Sequence, residues 1–220
     1  MSHRTPSFVL SGLVSALIVA VLTGCSAAPA QPSASTGTGQ RLAPSLVALF
    51  QQTLERQKAR LSPFEKQVLE RAIANGKIAA VDYEEAFSRR TACMKQAGYN
   101  DQVTKLPTGI YQITPNPPAG ADPKAWIEKW ADTDKKCASG NLIIIESLYR
   151  TQQGNDELLA DPLEVAARCL VKEGVAPATF TARNLEDWLT KQNPPLPFNA
   201  NDPKAQVCFS NAGIAVGVPK

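Results

Sequence analysis

One short pattern occurs twice in this chain and restricts its fold more than any other feature. Cys93-Met-Lys-Gln-Ala-Gly98-Tyr99 and Cys169-Leu-Val-Lys-Glu-Gly174-Val175 share the order Cys, apolar, three residues, Gly, apolar. In each copy the cysteine sits on a predicted helix that ends at the glycine. Glycine suits the left-handed position beyond a helix C-terminus. One more cysteine follows each copy: Cys137 comes 44 residues after Cys93, and Cys208 comes 39 residues after Cys169. Four cysteines allow three pairings; the repeat favours Cys93–Cys137 with Cys169–Cys208. No C-x-x-C spacing exists and no His follows His3, so neither a redox pair nor a mixed zinc site is expected.

The rest of the chain reads as mainly α. Leu46, Leu49, Phe50 and Leu54 form a helical stripe within Pro44 to Arg60. Ser62-Pro63-Phe64-Glu65 is a capping box with Pro at the first helical position. The helix it starts carries Phe64, Val68, Leu69 and Ile73 and stops near Gly76. Asp82-Tyr83-Glu84-Glu85 is the next start signal, for a helix that buries Ala86, Phe87, Cys93 and Met94.

The helical period fails from Asp101 to Gly120, where Pro107, Gly109, Pro115, Pro117 and Pro118 interrupt an apolar series. An irregular Pro-rich exposed loop is expected there, with room for a short β-hairpin across Pro107-Thr108-Gly109. Asp-Pro then opens a helix three times, at Asp122, Asp161 and Asp202. The first of these helices carries Trp126, Ile127 and Trp130 on one face, and the last carries Val207 and Cys208. Ile143, Ile144 and Ile145 favour a strand. Leu142, Ile145, Leu148 and Tyr149 nevertheless keep helical spacing, and Glu146 with Arg150 makes an i,i+4 pair, so helix is the reading. Thr181 to Lys191 is a helix with Leu185, Trp188 and Leu189 inward.

The N-terminus carries an address. Arg4 precedes an uncharged run of fifteen residues, Phe8 to Leu22. That is short of the ~20 apolar residues of a membrane span and fits a secretory signal. It ends in Leu22-Thr23-Gly24-Cys25, which resembles the lipobox of bacterial lipoproteins. The resemblance implies that Cys25 becomes a diacylglyceryl thioether and the new N-terminus after residues 1–24 are removed. It also implies a membrane-anchored, extracytoplasmic protein whose first partner is membrane lipid. An exported chain with an even number of remaining cysteines suits disulfides. Residues 25–40 are then a lipidated end and flexible linker, because Ala27 to Gln40 has no charge and no large apolar residue. Residues 41–220 form a single disulfide-stapled helical domain with two Cys-x4-Gly half-motifs.

Loss of Arg4 with the signal leaves 22 Lys+Arg against 20 Asp+Glu, interspersed along the chain. No basic stripe is present to hold nucleic acid. Cleavage also removes His3, the single His. His-based triads and zinc-peptidase motifs are thereby excluded, and no nucleotide loop occurs, so no cofactor is expected.

Carboxylates remain as the chemistry of a glycan hydrolase, with Glu85, Glu146, Glu164 and Asp187 near apolar stretches. Trp126 and Trp130 offer faces for sugar rings of cell-wall glycan. Tyr99, Tyr111 and the Pro-rich segment form the least core-like apolar cluster. The expectation is a non-enzymatic binding or scaffolding module for cell-wall glycan or another exported protein. A carboxylate-dependent hydrolase of cell-wall glycan is the alternative.

Overall fold

A computed structural model describes residues 39–191 and 195–215. The lipobox and Cys25 lie outside the described residues. The fold is mainly helical, with a two-stranded hairpin. In chain order the elements are α1 (Leu46–Gln57), α2 (Pro63–Asn75), α3 (Ala80–Gln96), β1 (Gln102–Lys105), β2 (Tyr111–Thr114), α4 (Pro123–Ala138), α5 (Ile143–Gly154), α6 (Pro162–Lys172), α7 (Ala182–Thr190) and α8 (Pro203–Asn211). None of the described helices is long and apolar enough to cross a membrane.

Local signals set most helix starts. Ser62 and Glu65 form the reciprocal capping box at α2. Asp122, Asp161 and Asp202 each accept a backbone N–H of the following turn, with Pro as the first helical residue. Each removes an orphan donor that a helix start otherwise leaves unsatisfied. Helix α3 departs from the expected start. It begins at Ala80, and Asp82 lies inside its first turn, paired with Arg71. The loop before α3 is held from a distance: the Gln152 carboxamide accepts from Ile78 N–H and donates to Ile78 C=O.

The Cys-x4-Gly pattern ends its helices in one geometry. After Cys93, Tyr99 N–H donates to Met94 C=O and Gly98 N–H to Lys95 C=O, with Gly98 at φ 88°. After Cys169, Val175 N–H donates to Leu170 C=O and Gly174 N–H to Val171 C=O, with Gly174 at φ 70°. This is the Schellman arrangement. It occurs a third time, at Cys208-Phe209-Ser210-Asn211-Ala212-Gly213-Ile214: Ile214 N–H donates to Phe209 C=O and Gly213 N–H to Ser210 C=O. The apolar residue after each cysteine, Met94, Leu170 and Phe209, is almost wholly buried.

Two apolar cores result. The first joins α1, α2, α3, α4, α5 and the hairpin around Phe50, Val68, Leu69, Tyr83, Ile110 and Ile145. The second joins α6, α7 and α8 around Ala166, Leu170, Leu185, Ala205, Cys208 and Phe209. Disulfides Cys93–Cys137 and Cys169–Cys208 are both formed. The first ties α3 to α4 and the second ties α6 to α8. Beside the first disulfide, Arg90 is fully buried and donates from Nη1 to Asp101 and from Nε to Asp134, each at 2.6 Å. Trp130 Nε1 donates to the other oxygen of Asp101 at 2.7 Å.

Helix α5 links the cores. Its inner face is Ile145, Leu148 and Tyr149, the helical reading of the isoleucine run. Its outer end reaches α8, where Arg150 Nη1 donates to Ser210 C=O and Oγ. The N-terminal segment joins the same seam, with Arg41 bridged antiparallel to Leu159.

Three side chains differ from their expected placement. Tyr111 is not part of an exposed loop: hairpin pairing of Lys105 with Tyr111 returns it to the core, stacked on Phe87 with ring centroids 4.1 Å apart. Ile110, beside it, is fully buried. Leu189 is exposed, because α7 turns Leu185 alone fully into the second core. Cys93 is only half-buried, at the edge where α3 meets α4.

Tyr83 and Tyr149 stack in the first core with ring centroids 4.3 Å apart. Burial raises the pKa of both phenols, and the Glu146 carboxylate raises that of Tyr83 further. Unfolded tyrosine titrates near pH 10. Below that value both states keep their phenolic protons and stability is unaffected. Above it the unfolded chain loses protons that the folded chain keeps, so stability falls as pH rises. The urea midpoint is therefore expected to be flat to about pH 9.5 and to drop beyond about pH 10. Tyrosinate absorbance should appear together with unfolding. Tyrosinate formed at pH 10 in the folded protein at both rings would contradict this.

Candidate functional site

A concavity lies where the two cores meet. It is a cleft of about 840 Å³ bordered by the end of α5, the loop 155–159, α6, the start of α7 and α8. Thr108, in the hairpin turn, reaches it from the first core. The volume falls in the ordinary range of small-ligand sites, roughly 300–1,000 Å³.

The loop 155–159 is shaped by one side chain. The Asn155 carboxamide accepts from Leu159 N–H and donates to Leu159 C=O. This closes the loop and holds Leu158 at φ 53°, a left-handed conformation that a leucine seldom adopts. Leu158 C=O accepts from Leu42 N–H, and Gln40 C=O accepts from Ala160 N–H, so the N-terminal segment braces the loop from outside.

The outer wall is charged in both signs. Arg168 lies between Glu157 and Glu164 and donates to both. The hydrogen bond that Arg168 donates to Glu164 is the main reason its guanidinium pKa stands above the ordinary value. Lys172 faces Asp156 at 3.6 Å. Inside, Val165, Val171 and Val207 give apolar surface, with Phe180 behind them.

The floor is polar and incompletely paired. Asn211, 8 % exposed, ends α8, and its Oδ1 has no hydrogen-bond partner. The Thr108 hydroxyl is likewise buried without a partner. Gly154 is what lets Asn211 lie there: a Cβ on Gly154 would overlap the Asn211 side chain.

The aromatics and carboxylates singled out in the sequence fall elsewhere, with one exception; Cys169 of the second disulfide also lines the cleft. Tyr99, Trp126 and Trp130 do come together, on the α3–α4 side of the first core. Tyr99 and Trp126 meet edge to face at 5.5 Å, and Trp130 is engaged with Asp101. All three are half-buried. Tyr111 belongs to the separate stack with Tyr83 and Phe87. None of the four aromatics lines the cleft. Of the four carboxylates, only Glu164 lines it. Each of the four is paired with a cation one turn on: Glu85 with Arg89, Glu146 with Arg150, Glu164 with Arg168 and Asp187 with Lys191.

Sequence reasoning missed Asn211, Gly154 and Thr108. Asn211 had a signal, the third Cys-x4-Gly copy, which places it on the last turn of a helix. Gly154 and Thr108 had none, since their role depends on segments far apart in the chain. Comparison with protein families, with curated proteins and with solved structures finds no match to this chain.

Proposed function

We propose that this chain is a lipid-anchored binding module of the bacterial cell envelope. Cys25 tethers it outside the cytoplasm, and the cleft between its two cores takes the ligand. The anchor rests on the lipobox resemblance. The binding role rests chiefly on one observation: the cleft floor carries unpartnered polar groups, while the carboxylate singled out at its wall, Glu164, is tied to Arg168.

The hydrolase alternative draws on Glu157 and Glu164, which share the Arg168 guanidinium within the cleft. A glycosidase needs one of its two carboxyl groups protonated to act as the acid. Here both carboxylates are engaged in ion pairs with one guanidinium. The binding reading is therefore the better supported.

Two measurements test it. Cys25→Ala is expected to move the protein from the membrane fraction to the soluble extracytoplasmic fraction; an unchanged membrane fraction overturns the anchor. The purified chain is expected to release no sugar from cell-wall glycan, and release abolished by Glu164→Gln would overturn the module in favour of the enzyme.

A further inference from the structure

We infer that the cleft is a peptide site, and that Asn211 and Thr108 recognise the backbone amides of its ligand. The inference deepens the binding-module reading and rests on it.

A buried polar group without a partner costs about 1–3 kcal/mol. Few such groups persist in a folded protein, and each calls for a reason. Among the described residues, four side chains carry one: Arg90, Thr91, Thr108 and Asn211. Arg90 already holds two carboxylates through its other nitrogens. Of the remaining three, Thr108 and Asn211 both line the cleft. They come from different cores, over one hundred residues apart in sequence. That both line one cleft is a property of the tertiary fold.

The chemistry of these groups selects the ligand. A carboxamide has an acceptor and a donor at adjacent positions, which complements the N–H and C=O of a peptide bond. Its terminal torsion is soft, so either end of the Asn211 side chain can turn to the cleft. A hydroxyl donates or accepts as required. Neither group carries charge, and the wall carries both signs, so a polyanion is not the natural occupant. Val165, Val171 and Val207 give apolar contact for side chains between the backbone contacts.

A glycan fits less well. Sugar rings lie on open aromatic faces, and no Trp or Tyr lines the cleft among the described residues. Its one aromatic, Phe180, is 8 % exposed and set edge-on to Phe198 at 5.4 Å.

Gly154 completes the site. With any side chain there, Asn211 would be pushed from its place against α5. The absence of a Cβ therefore keeps the carboxamide on the floor, and it links ligand recognition to the seam between the cores.

The test is a calorimetric titration of the full chain in detergent micelles with N-acetyl-Val-Ala-Val-amide. Saturable binding is expected. Asn211→Leu, which keeps the branched outline and removes the carboxamide, should weaken it about tenfold, the equivalent of one hydrogen bond of ~1.4 kcal/mol. Thr108→Val, near in shape, should weaken binding severalfold while the melting temperature stays level or rises, which covers the case in which Asn211→Leu folds poorly. The same tripeptide with N-methylated backbone amides has lost its donors and should bind about tenfold more weakly. Lack of saturable tripeptide binding overturns the proposal. So does equal binding by the methylated peptide, or binding indifferent to both substitutions. Triacetylchitotriose serves as the glycan arm. If it binds in an Asn211-dependent way and the tripeptide does not, the peptide assignment falls and the module reading stands. If it is cleaved, the module reading itself falls.

Discussion

Arg90→Leu is expected to destabilise the fold by about 3–5 kcal/mol, the usual cost of removing one partner from a buried ion pair. The side chain is fully buried between Asp101, 3 % exposed, and Asp134, 28 % exposed. With the guanidinium gone, Asp101 keeps the Trp130 indole N–H as a partner and has no counter-charge at hand. It must then stay charged in a poor solvent or take up a proton. Much of the cost belongs to that stranded carboxylate and not to the pair itself. The control follows from this. Asp101→Asn in the Arg90→Leu background removes the stranded charge and should recover a good part of the loss. Urea unfolding of the single and double variants measures both effects, through shifts in midpoint at constant slope. If the double variant is no more stable than Arg90→Leu, the stranded charge is not the cause.

Loss of either disulfide should be about as costly. Cys93–Cys137 and Cys169–Cys208 close loops of 44 and 39 residues. Loop entropy alone then assigns each about 4 kcal/mol. The two losses should differ in reach. The first core is built by five helices and a hairpin, whereas the second has three short helices and a smaller set of buried side chains. Cys169→Ala with Cys208→Ala is therefore expected to open α6, α7 and α8 as a local unit. Amide exchange should accelerate there by several orders of magnitude while α1, α2 and α3 keep their protection. Cys93→Ala with Cys137→Ala should instead lower the whole transition, since α3 is central to the larger core. Uniform acceleration in both variants would show that the cores do not unfold separately.

What the sequence made legible was what is local. Asp122, Asp161 and Asp202 announce their helices because cap and helix are adjacent. The Cys-x4-Gly pattern announces its own ending for the same reason, and the repeat correctly paired the cysteines. Asp82 misled because α3 starts at Ala80 with no side-chain cap, and the loop before it is held by Gln152, 74 residues from the backbone it binds. Tyr111 misled because a Pro-rich stretch looks solvent-exposed until strand pairing folds it back onto Phe87. Arg90 was silent: its partners lie 11 and 44 residues away, and nothing local marks them. The cleft was silent too, being assembled from six separate segments. Its one readable trace is the third motif copy. A reading that treats Cys208 only as the partner of Cys169 passes over Gly213 and Ile214, and with them the last turn that presents Asn211.

The bridge between Arg41 and Leu159 has a mechanical side. Residues 40–42 join this short ladder, and its partner segment, 158–160, borders the cleft at Leu159. A pull along the N-terminal segment is therefore delivered first to Leu158 and Leu159, before it reaches either core. Tension there works against the Asn155 clasp and the left-handed Leu158. The same few hydrogen bonds thus hold the segment at Gln40 and Leu42 and the rim of the cleft.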